Sequence, residues 1–314
     1  MIHVPMAEYA IGMDLGGTNL RAAAFDKSGT LLEKISGETN FQAGRDAVID
    51  DIAAAISRLR DKHGTEGLRG IGVGVPGFIR MKEGLITGSN NLPFLENLPI
   101  RDVLSQKLGT RVILENDANA AALGESWMGA GREVDDLVLL TLGTGIGGGI
   151  ISGGRIVRGS VGMAGEMGHI CVVPNGNPCG CGNQGCLEKH ASATAVTAMA
   201  QLMQLGDNPS ARDVFELAKR DDKNGEKARR IWQTVGEALG MAMAALINTF
   251  NFPLYLLSGG MLPAWDYFAP HMERVAMQRS FTYRATVKET RIAQATLGNL
   301  AGLYGAAYLP WHEE

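Results

Sequence analysis

The feature that most constrains this chain is a unit that occurs twice: an apolar strand that runs into a turn of glycine and threonine, then resumes as a second strand. The first copy is Tyr9 to Asp14, the turn Gly16-Gly17-Thr18, and the apolar run Ala22 to Phe25. The second is Asp136 to Leu142, the turn Gly143-Thr144-Gly145-Ile146-Gly147-Gly148-Gly149, and the strand Ile150-Ile151, with Gly153-Gly154 making a hairpin turn. Two such units, roughly 130 residues apart, predict two related α/β lobes presenting glycine turns to one shared ligand. A chain of 314 residues, 45% of them hydrophobic, can bury a core in each.

Other elements follow the same periodicities. Val48, Ile52, Ala55, Ile56 and Leu59 recur at helical spacing between Arg45 and His63, and Leu68 to Val75 reads as a strand ended by Pro76-Gly77. Arg111 to Glu115 is a strand leading into Asn116-Asp117, and the run Ala118 to Met128 is rich in helix formers. From Ala191 onward the pattern is mostly helical, with Lys223 to Phe250 the longest run and a strand Leu254 to Leu257 closing on Ser258-Gly259-Gly260. The expected division is an N-terminal α/β lobe of residues 1–117, with a C-terminal helix of residues 298–314 packing back on it. A larger α/β lobe of residues 118–297 follows.

Glycine at such turns permits positive φ and close backbone approach, and the freed N–H groups can point at phosphate oxygens. Thr18 and Thr144 add hydroxyl donors. Gly16-Gly17 alone reads equally well as a plain hairpin turn; the second turn tips the balance. Gly143, Gly145 and Gly148 also satisfy G-x-G-x-x-G, with Glu166 near the spacing of a ribose-binding acid. That dinucleotide fingerprint needs a helix directly after the glycines, whereas Gly149 to Ser152 reads as a strand. No G-x-x-x-x-G-K-[ST] is present, which excludes the usual P-loop.

Asp117 opens a helix, where an aspartate often only caps the first backbone N–H groups. The competing reading is chemical: a carboxylate in reach of a hydroxyl can take its proton as a phosphorus–oxygen bond forms, and Asn116 beside it can orient a second hydroxyl. His169, Cys179, Cys181 and Cys186 form a Cys₃His set suited to a closed, structural zinc site within segment 169–186, free buried thiols being the alternative. Cys171 reads as an ordinary strand cysteine. Glu166 and Glu188 flank this knot, as solvated charges or as binding groups held by a rigid scaffold.

The formal net charge is −4 and no run of Lys or Arg exceeds two, so no electrostatic footprint for nucleic acid or an anionic membrane is present. Met1 to Met6 lacks the arrangement of a signal peptide, and no stretch reaches ~18 uninterrupted apolar residues, so a cytoplasmic location is expected.

Taken together, these residues resemble the ROK family (repressors, open reading frames and sugar kinases) over essentially the whole chain. Asp14-Leu15-Gly16-Gly17-Thr18 is similar to the family's first phosphate motif and Leu142 to Gly149 to its second. Ser258-Gly259-Gly260 is similar to its adenosine segment, and Glu166-x-x-His169 with Cys179 to Glu188 resembles its zinc signature. The resemblance implies the actin, Hsp70 and hexokinase (ribonuclease H-like) fold, with ATP and a divalent cation between two lobes and a sugar in the cleft. It further implies Asp117 as catalytic base and Asn91, Asn116, Glu166, His169 and Glu188 as ligands of sugar hydroxyls. Asp14 would help hold Mg²⁺, Gly16, Gly17, Thr18, Gly143, Thr144, Gly145, Gly259 and Gly260 would contact ATP, and the protein would be a homodimer. A sugar-responsive repressor would need a DNA-binding segment, and thirteen residues before Asp14 are too few for a helix-turn-helix. A non-catalytic sensor would be expected to have lost the base or a phosphate motif. Glucose is the expected hexose, from the likeness of Leu114 to Ala121 and Asn90-Asn91-Leu92 to the family's glucokinases; N-acetylmannosamine, N-acetylglucosamine and fructose are the alternatives.

Overall fold

A computed structural model describes residues 8–16, 19–38, 44–88 and 95–313. In chain order the elements begin with β1 (Tyr9–Leu15), β2 (Asn19–Asp26), β3 (Leu31–Glu38), α1 (Arg45–His63), β4 (Leu68–Val75), β5 (Phe78–Arg80) and β6 (Leu85–Gly88). They continue with α2 (Ile100–Leu108), β7 (Val112–Asn116), α3 (Asp117–Met128), β8 (Leu137–Leu142), β9 (Ile146–Ser152) and β10 (Arg155–Ile156). The helical part comprises α4 (Glu188–Ala191), α5 (Ala193–Leu202), α6 (Ala211–Ala218) and α7 (Lys223–Phe250). β11 (Leu254–Ser258), α8 (Trp265–Arg279), α9 (Phe281–Thr286), β12 (Arg291–Gln294) and α10 (Ala301–His312) complete the chain.

Two compact units result: residues 1–135, 149–165 and 297–314 form the first, and residues 136–148 and 166–296 the second. In the first, the strand order is β3-β2-β1-β4-β7, with β1, β2 and β3 antiparallel in turn and β1, β4 and β7 parallel. The second five-stranded sheet has the order β10-β9-β8-β11-β12, with β8, β11 and β12 parallel and β9 and β10 antiparallel. The strand order and polarity therefore repeat, as the repeated turn unit predicts. β9 itself carries the chain from the second unit into the first at Gly149. Its hairpin to β10 turns at Gly153 and Gly154, both at positive φ (56° and 71°), as a two-residue turn between right-twisted strands requires.

Parallel central strands are covered on both faces, so they read as apolar runs without alternation. One face of the first sheet presents Ile11, Met13, Ile71 and Val73 to the buried stripe Val48, Ile52, Ile56 and Leu59 of α1. The other face is shaped by small residues. A side chain at Gly12 or Gly72 would collide with the backbone of α10, at the Leu303 and Ala306 carbonyls, so these glycines let the helix lie directly on β1 and β4. Gly124 and Gly305 allow the same approach between α3 and α10. In the second unit β8 and β11 are almost wholly buried, and α7 packs along α8 through Trp232, Val235, Leu239 and Met243 against Phe268 and Met272. No helix among the described residues is long and apolar enough to cross a membrane.

Candidate active site

In the first unit, β1 delivers Asp14 to the end of a buried strand, opposite Arg21 in the antiparallel register. Burial raises the Asp14 carboxyl above the usual carboxylate range, and Arg21, 3.9 Å away, offsets this only in part. A desolvated carboxylate with so loose a counter-ion fits a divalent cation, which would favour its charged form. Gly16 follows; Gly17, Thr18 and Asn91 lie outside the described residues.

The strand-to-helix junction lies where the sequence places it, β7 ending at Asn116 and α3 starting at Asp117. The cap itself requires a correction. Asn116 holds the N-cap position: its Oδ1 accepts the N–H groups of Ala118 (2.9 Å) and Asn119 (3.1 Å), and its Nδ2 donates to the Gly77 carbonyl (3.2 Å). Asp117 is half-buried and accepts from Ala118 N–H at 2.9 Å. Asn116 retains one amide N–H for a ligand, since its oxygen is engaged twice and one N–H is spent on Gly77.

Beneath this junction lies a pair that the sequence reading missed. Glu115 is 1% exposed. Its Oε1 accepts from Asn116 N–H and Asn119 Nδ2, both at 3.0 Å, and its Oε2 accepts from Arg158 Nε at 2.6 Å. Arg158 also donates through Nη2 to Glu313 at 2.8 Å. A buried charge needs such company, and here it ties β7, the first turn of α3 and the segment after β10 to one carboxylate.

In the second unit, the turn after β8 is pinned from several sides. Gly143 N–H donates to the Gly145 carbonyl (3.0 Å), Gly147 N–H to Thr141 Oγ1 (3.2 Å), Ala193 N–H to the Gly143 carbonyl (2.9 Å) and Thr194 Oγ1 to the Thr144 carbonyl (2.7 Å). Positive φ is not why this turn is glycine-rich: none of its five glycines adopts it. Close approach is. A Cβ at Gly145 would strike the Glu188 carboxylate, and one at Gly149 would strike the Ala118 carbonyl, whereas one at Gly143 would meet only the Gly145 carbonyl oxygen, at an easy 4.0 Å. The N–H groups of Thr144 and Gly145 meet no acceptor among the described residues, so they remain for an anion. Gly259 does need positive φ (104°), because β11 reverses there against the Leu142 backbone, and Gly260 again faces open space. Gly260 and Met261 border a cavity of about 290 Å³ with Arg212, Phe215 and Glu216 of α6 and Trp232 of α7. The Trp232 Nε1 is buried without a partner.

His169, Cys179, Cys181 and Cys186 converge as expected, their ligand atoms all within 4.8 Å of one another. The His169 Nδ1 stands 3.6 Å from Cys179 Sγ, and Cys181 Sγ 3.6 Å from Cys186 Sγ. Short turns draw them together: Cys179 N–H donates to the Asn183 carbonyl and Gly182 N–H to the Cys179 carbonyl. Cys171 pairs by backbone with Cys186 and lies outside the set. Burial raises the Cys186 thiol, with Cys181 and Cys179 adding to it, while backbone N–H donation lowers Cys181. A metal that takes thiolates resolves this conflict, and three sulfurs with one imidazole suit tetrahedral zinc.

With Nδ1 turned to the sulfurs, His169 presents Nε2 to Glu166 Oε2 at 3.9 Å, the kind of outer partner that orients a metal-bound imidazole. Burial raises the Glu166 carboxyl, His169 opposes that, and Glu188 reinforces it. Glu188 opens α4, and its Oε2 accepts from Ile146 N–H at 3.0 Å. The Cys/His cluster, the two glutamates and the glycine turn thus form one continuous structure.

The ROK family model matches residues 10–313. The chain belongs to the ROK family. It is 39% identical to a glucokinase of Halalkalibacterium halodurans (97% of this chain, 95% of the relative). It is 36% identical to a glucokinase of Thermotoga maritima, with 95% of each chain covered. A solved ROK family glucokinase of Streptomyces griseus, in complex with glucose and AMPPNP, superposes with a TM-score of 0.77 at 32% identity, covering 96% of this chain and 98% of that one. The fold of this ROK chain is accordingly the α/β actin, Hsp70 and hexokinase type.

For this ROK chain, the sequence motifs located the turn after β8, the Asn116-Asp117 junction and the Cys/His cluster, and missed Glu115, Arg158 and the cavity wall. A glutamate closing an otherwise apolar strand was the one available signal for Glu115. Arg212, Phe215 and Trp232 come from two helices whose local pattern carries no mark of a cavity.

Proposed function

We propose that this ROK family member is an ATP-dependent sugar kinase that transfers the γ-phosphoryl group to a hydroxyl of a hexose, glucose first, with Asp117 as the general base. The observation that carries the base is at the head of α3: Asn116 closes the helix end with two accepted N–H bonds, so Asp117 is not needed for the cap. A half-buried carboxylate there suits proton acceptance from a weakly nucleophilic hydroxyl. Full-length similarity to glucokinases supports glucose as the hexose.

The remaining roles follow from chemistry at each position. Thr144 and Gly145 N–H groups, with the open faces of Gly143 and Gly260, receive the phosphates, joined by Gly16, Gly17 and Thr18. The cavity beside Gly260 takes the nucleoside. Asp14 would hold Mg²⁺, which would neutralise phosphate charge during transfer. Asn91, Asn116, Glu166, His169 and Glu188 hold sugar hydroxyls, and zinc on His169, Cys179, Cys181 and Cys186 braces Glu166 and Glu188. Such an enzyme works where ATP and free sugar meet, in the cytoplasm, and its family predicts a homodimer, which sedimentation will test. Catalysis here rests on positioning and charge stabilisation, so exclusion of the alternatives is a matter of pocket contacts.

The test is ADP release with Mg-ATP across hexoses and N-acetylhexosamines, for the native protein and Asp117→Asn. Glucose should give the highest kcat/KM, and the substitution should reduce kcat by at least about 10²-fold, the size of a general-base contribution. No sugar-stimulated turnover, or an Asp117→Asn enzyme of native rate, refutes the reading.

A further inference from the structure

Two parts of the glycine turn meet at Glu188, a residue proposed above as a sugar ligand. Its Oε2 accepts the backbone N–H of Ile146 at 3.0 Å, where the glycine turn enters β9. Ile146 is buried (6% exposed), so this N–H would otherwise lie in the interior without an acceptor. The three atoms nearest to a Cβ at Gly145 all belong to the Glu188 side chain: Oε2, Cδ at 3.3 Å and Cγ at 4.0 Å. Because Gly145 does not have positive φ, its backbone conformation does not demand glycine; the space that Glu188 fills does.

Glu188 is itself held. Leu187 N–H donates to the Ile170 carbonyl, Lys189 N–H to the Cys186 carbonyl and Ser192 N–H to the Glu188 carbonyl, and Leu187 is fully buried. The same stretch of chain reaches the turn again through Ala193 and Thr194. Residues 188–194 therefore grip residues 143–146 at three points, and Glu188 supplies the only charged one of these.

We infer that Glu188 is a positioning residue for the nucleotide as well as a sugar ligand. Its carboxylate satisfies the buried Ile146 N–H and fixes the turn so that the Thr144 and Gly145 N–H groups remain to receive phosphate. A carboxylate-to-amide hydrogen bond is charge-assisted and therefore among the stronger ones available. The inference rests on the reading of residues 143–149 as a phosphate turn. Its consequence is that Glu188 governs nucleotide affinity even when no sugar is present, which a residue acting only on the sugar does not.

The experiment is calorimetric titration of the full-length, zinc-loaded protein with Mg-ADP in the absence of sugar, for the native chain, Glu188→Ala, Glu188→Gln, Gly145→Ala and the Gly145→Ala/Glu188→Ala double variant. Metal content is measured alongside. Glu188→Ala should weaken Mg-ADP about tenfold, the equivalent of one lost charge-assisted hydrogen bond, and Glu188→Gln, whose amide oxygen still accepts, should stay within about threefold. Gly145→Ala should weaken binding comparably, and the double variant should be no weaker than the worse single one, because the colliding carboxylate is gone. Native affinity in Glu188→Ala, or strictly additive losses in the double variant, overturns the inference. Should Glu188→Ala lose zinc, Glu188→Gln and Gly145→Ala decide alone: an amide variant as weak as the alanine one, or a Gly145→Ala protein of native affinity, overturns it. A native protein that binds no Mg-ADP refutes the kinase reading instead.

Discussion

Removing Arg158 should cost this protein far more than the loss of a surface arginine does. Its Nε lies 2.6 Å from Oε2 of Glu115, a carboxylate that is 1% exposed. In Arg158→Met that carboxylate keeps the Asn116 N–H and Asn119 Nδ2 bonds on its other oxygen and loses its counter-ion. Stripping one partner from a fully buried pair costs about 3–5 kcal/mol. The Arg158 side chain is 26% exposed, so water can partly replace it, and we expect about 2–3 kcal/mol. For a chain of this size that is a fall in Tm of about 3–5 °C. Glu115→Gln should cost less, because Arg158 keeps Glu313 at 2.8 Å and reaches water. In the double variant no buried charge is left unpaired, so its urea midpoint should lie above that of Arg158→Met, with a coupling energy above about 1 kcal/mol. The chemistry should register the same change. Glu115 bonds the N–H of Asn116 and the side chain of Asn119, on either side of Asp117, so kcat should fall further than nucleotide or sugar affinity. An Arg158→Met protein within about 0.5 kcal/mol of native, or losses that simply add in the double variant, would refute the argument.

Three more expectations follow from the same structure. Asp14 has its folded-state pKa raised by burial, so its folded form holds a proton more tightly than the unfolded chain. That contribution to stability is present below the unfolded carboxylate pKa and lost as pH rises through the raised folded one. Asp14→Asn should therefore raise Tm of the ligand-free protein at pH 7, with the gain vanishing at acid pH, while abolishing stabilisation by Mg-ADP; a lower Tm at pH 7 contradicts this. Metal analysis should find about one zinc per chain, and chelation should lower Tm together with sugar affinity; a metal-free protein of native stability would end the structural role assigned to the four ligands. Gly72→Ala should destabilise by about 1–3 kcal/mol in urea titration, since its Cβ meets the Ala306 carbonyl of α10, and native stability would show that the helix shifts freely on the sheet.

What the sequence discloses is local in the chain. The two strand–turn–strand units, the Asn116-Asp117 junction and the four residues of the Cys/His cluster each occupy a short stretch, so periodicity, composition and spacing suffice to find them. The edge strands β3 and β12 escape such a reading because one flank of each is unpaired and neither carries a continuous apolar run. Side-chain partners are harder still. Glu115 and Arg158 are 43 residues apart, and Glu188 and Ile146 are 42 apart, with no periodicity connecting either pair. Only the fold decides that they meet.

Glycine shows why composition alone misleads about cause. The turn at 143–149 invites an argument from positive φ, and all five of its glycines lie outside that region. Gly153 and Gly154, a few residues on, do adopt it. A missing Cβ serves two separate needs, an unusual dihedral or a near neighbour, and the sequence letter is the same for both. At Gly145 the neighbour is Glu188, at Gly149 the start of α3, and at Gly143 only the Gly145 carbonyl oxygen at 4.0 Å. The three positions therefore predict different costs for the same substitution. Alanine at 145 displaces a carboxylate, alanine at 149 pushes on the helix that begins with Asp117, and alanine at 143 leaves the ligand-free protein intact while occupying room that the proposed function assigns to phosphate. Unfolding measurements on the three variants without nucleotide should separate Gly149 as the costliest, since it alone collides with backbone, and Gly143 as the mildest.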